Sequence, residues 1–140
     1  MTAYLLDTNV ISCILKKREE AYLRIKSKLQ TVLNQNATIL VSPIVFYEIK
    51  RGLYHKKAEK QLAFFEQFVS CFDWCDLNKT TWDRGAKLWA NCRKRGRPTD
   101  KDVGIDKDVL IAAQAKEHNA VVVTNNIRHF QYLGVNYESW

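Results

Sequence analysis

Two prolines, five glycines and one methionine in 140 residues leave little material for a linker, a low-complexity stretch or a disordered tail. The four cysteines, Cys13, Cys71, Cys75 and Cys92, form no CxxC pair. Cys71 and Cys75 come nearest, with no histidine close by to complete a zinc site. Their apolar neighbours predict buried free thiols in a reducing compartment. Negative charge is in short supply: 15 acidic residues face 22 lysines and arginines, a net charge of +7. No apolar run approaches the roughly 18 residues of a membrane span. The chain also starts without a basic n-region or a small-residue cleavage site. These absences predict a soluble cytoplasmic protein with no membrane partner. What is present is a 46% hydrophobic content, enough for one core, since a chain of this size buries about two-thirds of its unfolded surface. A single domain over residues 1–140 is expected. The basic excess favours a polyanionic partner, although such a balance also serves plain solubility.

Short apolar runs alternate with helical patterns along the chain. Ala3–Leu6 reads as a buried strand, closed by Asp7-Thr8-Asn9 and followed by Val10, Ile11, Ile14 and Leu15 at helical spacing. Tyr22, Ile25, Leu29 and Val32 make an amphipathic helix over 19–33. Thr38–Val41 is a second strand. Ser42-Pro43 supplies a capping hydroxyl and a proline at the first helical position, which starts a helix to about Tyr54 with a break near Gly52. Leu62, Phe65, Phe68 and Val69 mark another helix, and Phe72–Leu77 a β-prone run. A further helix covers 80–94, and Arg93–Asp102 reads as a loop. An alanine-rich helix over 107–117, the β-branched strand Ala120–Thr124, a short helix from Arg128 and a strand at Val135–Tyr137 complete the pattern. Strands alternating with helices predict an α/β fold with a mostly parallel sheet of about five strands, flanked by helices.

Acidic and amide side chains stand at the ends of these elements. Asp7 follows the first strand, where a parallel sheet opens its binding crevice. It could instead cap the next helix, a task that Asn9 could take over. Glu48 shares a helix face with Val45, Ile49 and Gly52. A carboxylate beside an apolar stripe needs a metal or an ion-pair partner, and Lys50, Arg51 or a distant arginine are candidates for the second reading. Asp106 and Asp108 open the alanine-rich helix. Capping is assigned to Asp106 and chemistry to Asp108, with the reverse assignment left open. Asn125 and Asn126 end the strongest strand, as a plain turn or as neutral oxygen donors. Acids gathered at one sheet edge repel each other unless a divalent cation joins them.

The segments Tyr4-Leu-Leu-Asp-Thr-Asn-Val-Ile-Ser12, Ser42-Pro-Ile-Val-Phe-Tyr-Glu-Ile-Lys-Arg-Gly-Leu53, Asp108-Val-Leu-Ile-Ala-Ala113 and Val122-Val-Thr-Asn-Asn126, with Phe130 and Trp140, span nearly the whole chain. In that order and spacing they resemble the PIN-domain ribonucleases, in particular the VapC toxins of bacterial type II toxin–antitoxin modules. The resemblance implies a PIN-like domain and a metal-dependent endoribonuclease. It places Asp7, Glu48 and Asp108 at the family's three acidic positions, and Asn126 where many members carry a fourth aspartate. That departure puts a second metal site in doubt. Asp7 and Asp108 would bind Mg²⁺, or Mn²⁺, while Glu48 holds or deprotonates the attacking water. Thr8, Asn9, Ser12 and Thr124 would support them. A small antitoxin whose C-terminal segment covers the acidic groove, and a toxin homodimer, are the implied partners. The apolar stripes at 22–32 and 62–69 are candidate contact surfaces.

Basic clusters border the expected pocket, so Lys16, Arg51, Arg93 and Arg95 are candidates for the RNA backbone. Trp74, Trp82 and Trp89 lie on apolar stripes and are read as core or interface. His55, His118 and His129 are read as surface residues. A haloacid-dehalogenase-type phosphatase needs a second acid where Asn9 stands. The chain is also compatible with a non-catalytic metal- or RNA-binding module and with a PIN-like structure-specific DNA nuclease.

Overall fold

The computed structural model describes residues 2–17, 20–94 and 104–140, the side chains of 104 and 105 excepted. Strands buried on both faces read as near-continuous apolar runs, and so do the three central ones, with Thr38 at the start of β2 the polar exception: β1 (Ala3–Leu6), β2 (Thr38–Val41) and β4 (Ala120–Val123). With the two-residue edge strands β3 (Asp73–Trp74) and β5 (Tyr137–Glu138) they form a parallel sheet of order β3-β2-β1-β4-β5. The chain builds outward from β1 to one edge, then returns to the other side of β1. The crevice at such a reversal lies beyond the carboxyl ends of the two strands concerned. Here those strands are β1 and β4, paired in register from Ala3 with Ala120 to Leu6 with Val123. The residues that follow them, Asp7 and Thr124, are therefore neighbours.

The helices are α1 (Thr8–Leu15), α2 (Glu20–Asn34), α3 (Pro43–His55), α4 (Glu59–Ser70), α5 (Lys79–Lys94), α6 (Gly104–Glu117) and α7 (Ile127–Phe130). Ser42 caps α3 by accepting from the Ile44 amide, with Pro43 opening the helix. Leu5, Leu6, Val10, Ile11, Ile25, Val45, Phe65, Ile111, Val122 and Phe130 are almost fully buried in one contiguous core. Gly85 allows α5 to lie close on α6, because a Cβ there would stand 2.7 Å from Leu110 Cδ2. Trp140 closes the core, 4% exposed, with its ring edge-on to Tyr4 at 5.3 Å.

Several expectations are corrected. The helix from Pro43 runs through Gly52 without a break. The β-prone run at 72–77 shrinks to Asp73–Trp74, and the last strand moves to Tyr137–Glu138. The stripes at 22–32 and 62–69 are exposed only in part. Ile25, Val32 and Phe65 are buried, and Leu29, Leu62, Phe68 and Val69 pack against the core. Trp74 and Trp82 are not core: they are 47% and 54% exposed, the first because it lies on an edge strand, where its Nε1 donates to Asp76. Of the four thiols only Cys75 and Cys92 are buried. Cys71 sits exposed at the end of α4, and Cys13 is half-buried. Burial pushes the Cys75 thiol up to about 11, which leaves it a poor nucleophile at neutral pH.

Candidate active site

Asp7 is 1% exposed, and each of its carboxylate oxygens is used. One accepts from the Thr8 amide at 2.8 Å and caps α1; the other accepts from the Thr124 hydroxyl at 2.8 Å. The capping expectation for Asn9 is thus overturned. Helix α1 begins at Thr8, which puts Asn9 already inside the first turn, and its Oδ1 instead accepts from the Asn125 amide at 3.1 Å. The Asn126 backbone N–H donates to Thr124 Oγ1 at 2.9 Å, so Asp7, Thr124 and the Asn126 backbone form one short chain of contacts at the mouth of β1 and β4.

Asp108, also 1% exposed, is pushed up to about 7, first by burial and then by the charge of Asp7. The His129 imidazole, which hydrogen-bonds it, and Lys107 pull in the opposite direction without cancelling the effect. Asp106 does not cap α6. The helix starts at Gly104, which leaves Asp106 exposed within its first turn, where the helix dipole favours an acid. His129 is no surface residue either: its Nδ1 lies 2.6 Å from Asp108 Oδ2 and its side chain is 22% exposed.

Glu48 projects from the second turn of α3 toward the same edge. Its Oε1 accepts from the Thr8 hydroxyl at 3.1 Å, and Lys107 Nζ lies 2.9 Å from Oε1 and 3.0 Å from Oε2. The expected ion-pair partners do not engage it. Lys50 pairs with Glu66, and the Arg51 guanidinium lies over the Tyr47 ring at 5.1 Å. Thr8 therefore touches both Asp7 and Glu48, and Lys107-Asp108 brings the third acid up from the other side.

Sequence reasoning gave no role to Lys107 or His129. The signal for Lys107 was its place between two acids at a helix start, and for His129 its place just beyond the Asn125–Asn126 turn. The two helices carrying Glu48 and Asp108 are also fastened together in the interior. The Ser42 hydroxyl donates to Gln114 Oε1 at 2.7 Å, and Gln114 Nε2 donates to the Cys75 carbonyl at 2.7 Å. All this ties the start of α3, the middle of α6 and the end of β3 to one buried amide.

Lys16 and Arg51 are exposed, Lys16 at the end of α1 and Arg51 on α3. Arg93 lies in the last turn of α5 with its guanidinium 5.4 Å from the Trp89 ring centre. Arg95 lies outside the described residues.

A divalent cation fits this donor set. The charge of buried Asp7 raises the cost of ionising Asp108, and a cation between them would offset it. Hard oxygen donors are what Mg²⁺ and Mn²⁺ prefer. Among the described residues no three His, Cys, Asp or Glu side chains converge as a ready cage. A cation that retains several waters is therefore the one that suits the site.

Known proteins place the fold and the site in context. Residues 4–135 match the PIN domain family. The chain is 30% identical to ribonuclease VapC2 of Haemophilus influenzae, covering 100% of this chain and 99% of that one. It is 28% identical to the tRNA(fMet)-specific endonuclease VapC of Salmonella typhimurium, over 100% and 99% of the two chains. Among solved structures it superposes on a chain of VapBC2 from Rickettsia felis bound to a promoter DNA fragment, with a TM-score of 0.81, 27% identity and 99% of each chain covered. On its sheet order, its acidic crevice and these matches, the chain belongs to the PIN domain family, among the VapC ribonucleases.

Proposed function

We propose that this protein is an endoribonuclease, the toxin of a type II toxin–antitoxin pair, and that Asp7, Glu48 and Asp108 carry its chemistry. The observation that carries the reading is the buried acid pair Asp7 and Asp108 at the crevice of β1 and β4, with Asp108 pushed up to about 7. Asp7 and Asp108 would hold Mg²⁺ or Mn²⁺, which when bound activates water and offsets charge on the phosphate. Glu48 accepts the proton of the attacking water. Thr8 fixes the direction of its carboxylate, and Lys107 shields its charge from the incoming phosphate. Thr124 holds Asp7 in place, and Asn126 at its side adds a polar group without adding negative charge. His129 keeps Asp108 oriented. Lys16, Arg51, Arg93 and Arg95 would contact backbone phosphates, the first two from exposed positions at the end of α1 and on α3.

The partner is a small antitoxin, in keeping with the VapBC complexes among the structural relatives, and it would cover the acidic groove. The working unit is a cytoplasmic homodimer. No helix among the described residues is long and apolar enough to cross a membrane. Light scattering tests the dimer: a strict monomer at high concentration removes it.

Cleavage of a mixed RNA pool by wild type and Asp108→Ala, each with Mg²⁺, Mn²⁺ or EDTA, tests the activity. Metal-dependent cutting that disappears in the variant supports the reading. Equal cutting by both proteins defeats it, and cutting of single-stranded DNA but not RNA would reassign the substrate.

A further inference from the structure

Gly52 has no reason within the chain to be glycine. It lies inside α3, where glycine weakens a helix relative to alanine by leaving the unfolded backbone too free. Among the described residues, a Cβ added there would meet no atom within 4 Å outside the helix's own neighbouring backbone. Gly85, by contrast, is held to glycine by Leu110 at 2.7 Å. The open space beside Gly52 belongs to a pocket of about 140 Å³ between α1, α3 and the start of α4. Leu15, Ile49 and Leu53 give it an apolar floor. Gln61 braces one wall, its Nε2 donating to the Leu15 carbonyl at 2.9 Å. Thr8 and Glu48 also line it, which makes it continuous with the acidic crevice, and exposed Lys16 and Lys56 complete its lining.

We infer that this pocket is the subsite for one unstacked nucleobase of the RNA, next to the phosphate being cut, and that it is sized for a pyrimidine. The inference rests on the ribonuclease reading above. An apolar cavity of about 150 Å³ accommodates benzene, so this pocket, open to solvent on one side, has room for a single ring against its floor, and a purine would reach further out into solvent. Enzymes that take a base out of its stack hold it between aromatic or apolar side chains, and Leu15, Ile49 and Leu53 supply the apolar kind here. Two lysines beside the pocket suit the phosphates on either side of such a base. The one carboxylate there, Glu48, is already paired with Lys107 at 2.9 Å and does not repel them. Gly52 lets the base lie directly against the helix backbone.

The test maps the cut ends of a cellular RNA pool, by sequencing, for wild type, Gly52→Ala and Gly52→Leu. The most-cut sequence is then used as a synthetic oligonucleotide for kinetics. Melting temperature and Mn²⁺ binding establish that each variant is folded. Wild type is expected to show a pyrimidine at one fixed position beside the cut. Gly52→Leu fills the pocket, levels that preference and raises KM about tenfold or more, the scale of one lost base contact. Gly52→Ala melts no lower than wild type and shows a smaller effect in the same direction. Should Gly52→Leu fail to fold, Gly52→Ala and Lys56→Ser carry the test. Unchanged cut positions and KM in the folded variants overturn the subsite and leave the pocket to a protein segment. Cuts by wild type without base preference overturn it as well. A wild type that cuts no RNA overturns the ribonuclease reading, and this inference with it.

Discussion

Helix α6 carries a withdrawn carboxylate near each end, and the two are treated differently. Asp108 near its start and Glu117 at its finish have side chains 2% and 15% exposed. Glu117 Oε2 accepts from the buried Thr81 hydroxyl at 2.9 Å, and Arg84 Nε stands 3.7 Å from Oε1, which has no hydrogen bond, so opposite charge from α5 faces it. Asp108 faces another buried acid, Asp7; His129 hydrogen-bonds it at 2.6 Å and offsets that charge only in part, and Lys107 is taken by Glu48. Burial is common to both ends. What distinguishes the functional end is a like charge left partly uncompensated, and that is where a cation or substrate gains most.

Removing the like charge should have the largest effect. Asp108→Asn is expected to lower the rate of metal-dependent RNA cleavage at least about 10²–10³-fold, as measured in single-turnover assays. Glu117→Gln, at the quiet end, should leave that rate within about twofold of wild type, since it keeps an oxygen for Thr81. A large loss in Glu117→Gln would break the comparison.

Next comes stability against pH in the metal-free protein. The folded pKa of Asp108 lies near 7, above its ordinary 3.8, so between those values the native state binds more protons than the unfolded chain. Stability from this group is therefore fully present near pH 4, falls as pH rises, and levels off above about 7. Asp108→Asn should flatten that part of the curve and melt higher than wild type at pH 8 by about 3–6 °C, while the two converge near pH 4. Thermal melts in EDTA check this, and a parallel pH dependence in both proteins would sink it. Adding Mn²⁺ should raise the melting temperature of wild type more at pH 8 than at pH 5.5.

Gln114 lies between the two ends and tests whether they communicate. Gln114→Leu strands the Ser42 hydroxyl and the Cys75 carbonyl and is expected to cost about 1–3 kcal/mol in urea denaturation. Because Ser42 begins the helix that carries Glu48, kcat should fall more than KM rises. The smallest effect belongs to the outer surface: Arg51→Ala should weaken RNA binding uniformly and reduce the salt slope by about one, seen in titrations at increasing KCl.

Much of the fold was legible because β1, β2 and β4 are short, almost wholly apolar and bounded by polar turns, and because Ser42-Pro43 marks its helix start without ambiguity. The edge strands were not, since two residues carry no periodicity. Asp7 and Asp108 were legible from their places at strand and helix ends. Lys107 and His129 escaped because their roles arise from contacts across the fold. The exposed Trp82 shows the limit of a helical stripe as evidence: spacing identifies a face, and only packing determines whether anything covers it.

The pairing of β1 with β4 has a consequence for how the protein comes into being. Residue 3 meets residue 120, and Asp7 is completed by Thr124. A ribosome must therefore synthesise the chain from β1 through Thr124 before the acidic crevice exists, and contacts so distant in sequence form slowly even then. The nascent chain emerges unarmed. Its own translation apparatus, rich in RNA, is not exposed to an assembled crevice until the last strands are out, which gives a co-expressed antitoxin time to be present at the moment of closure.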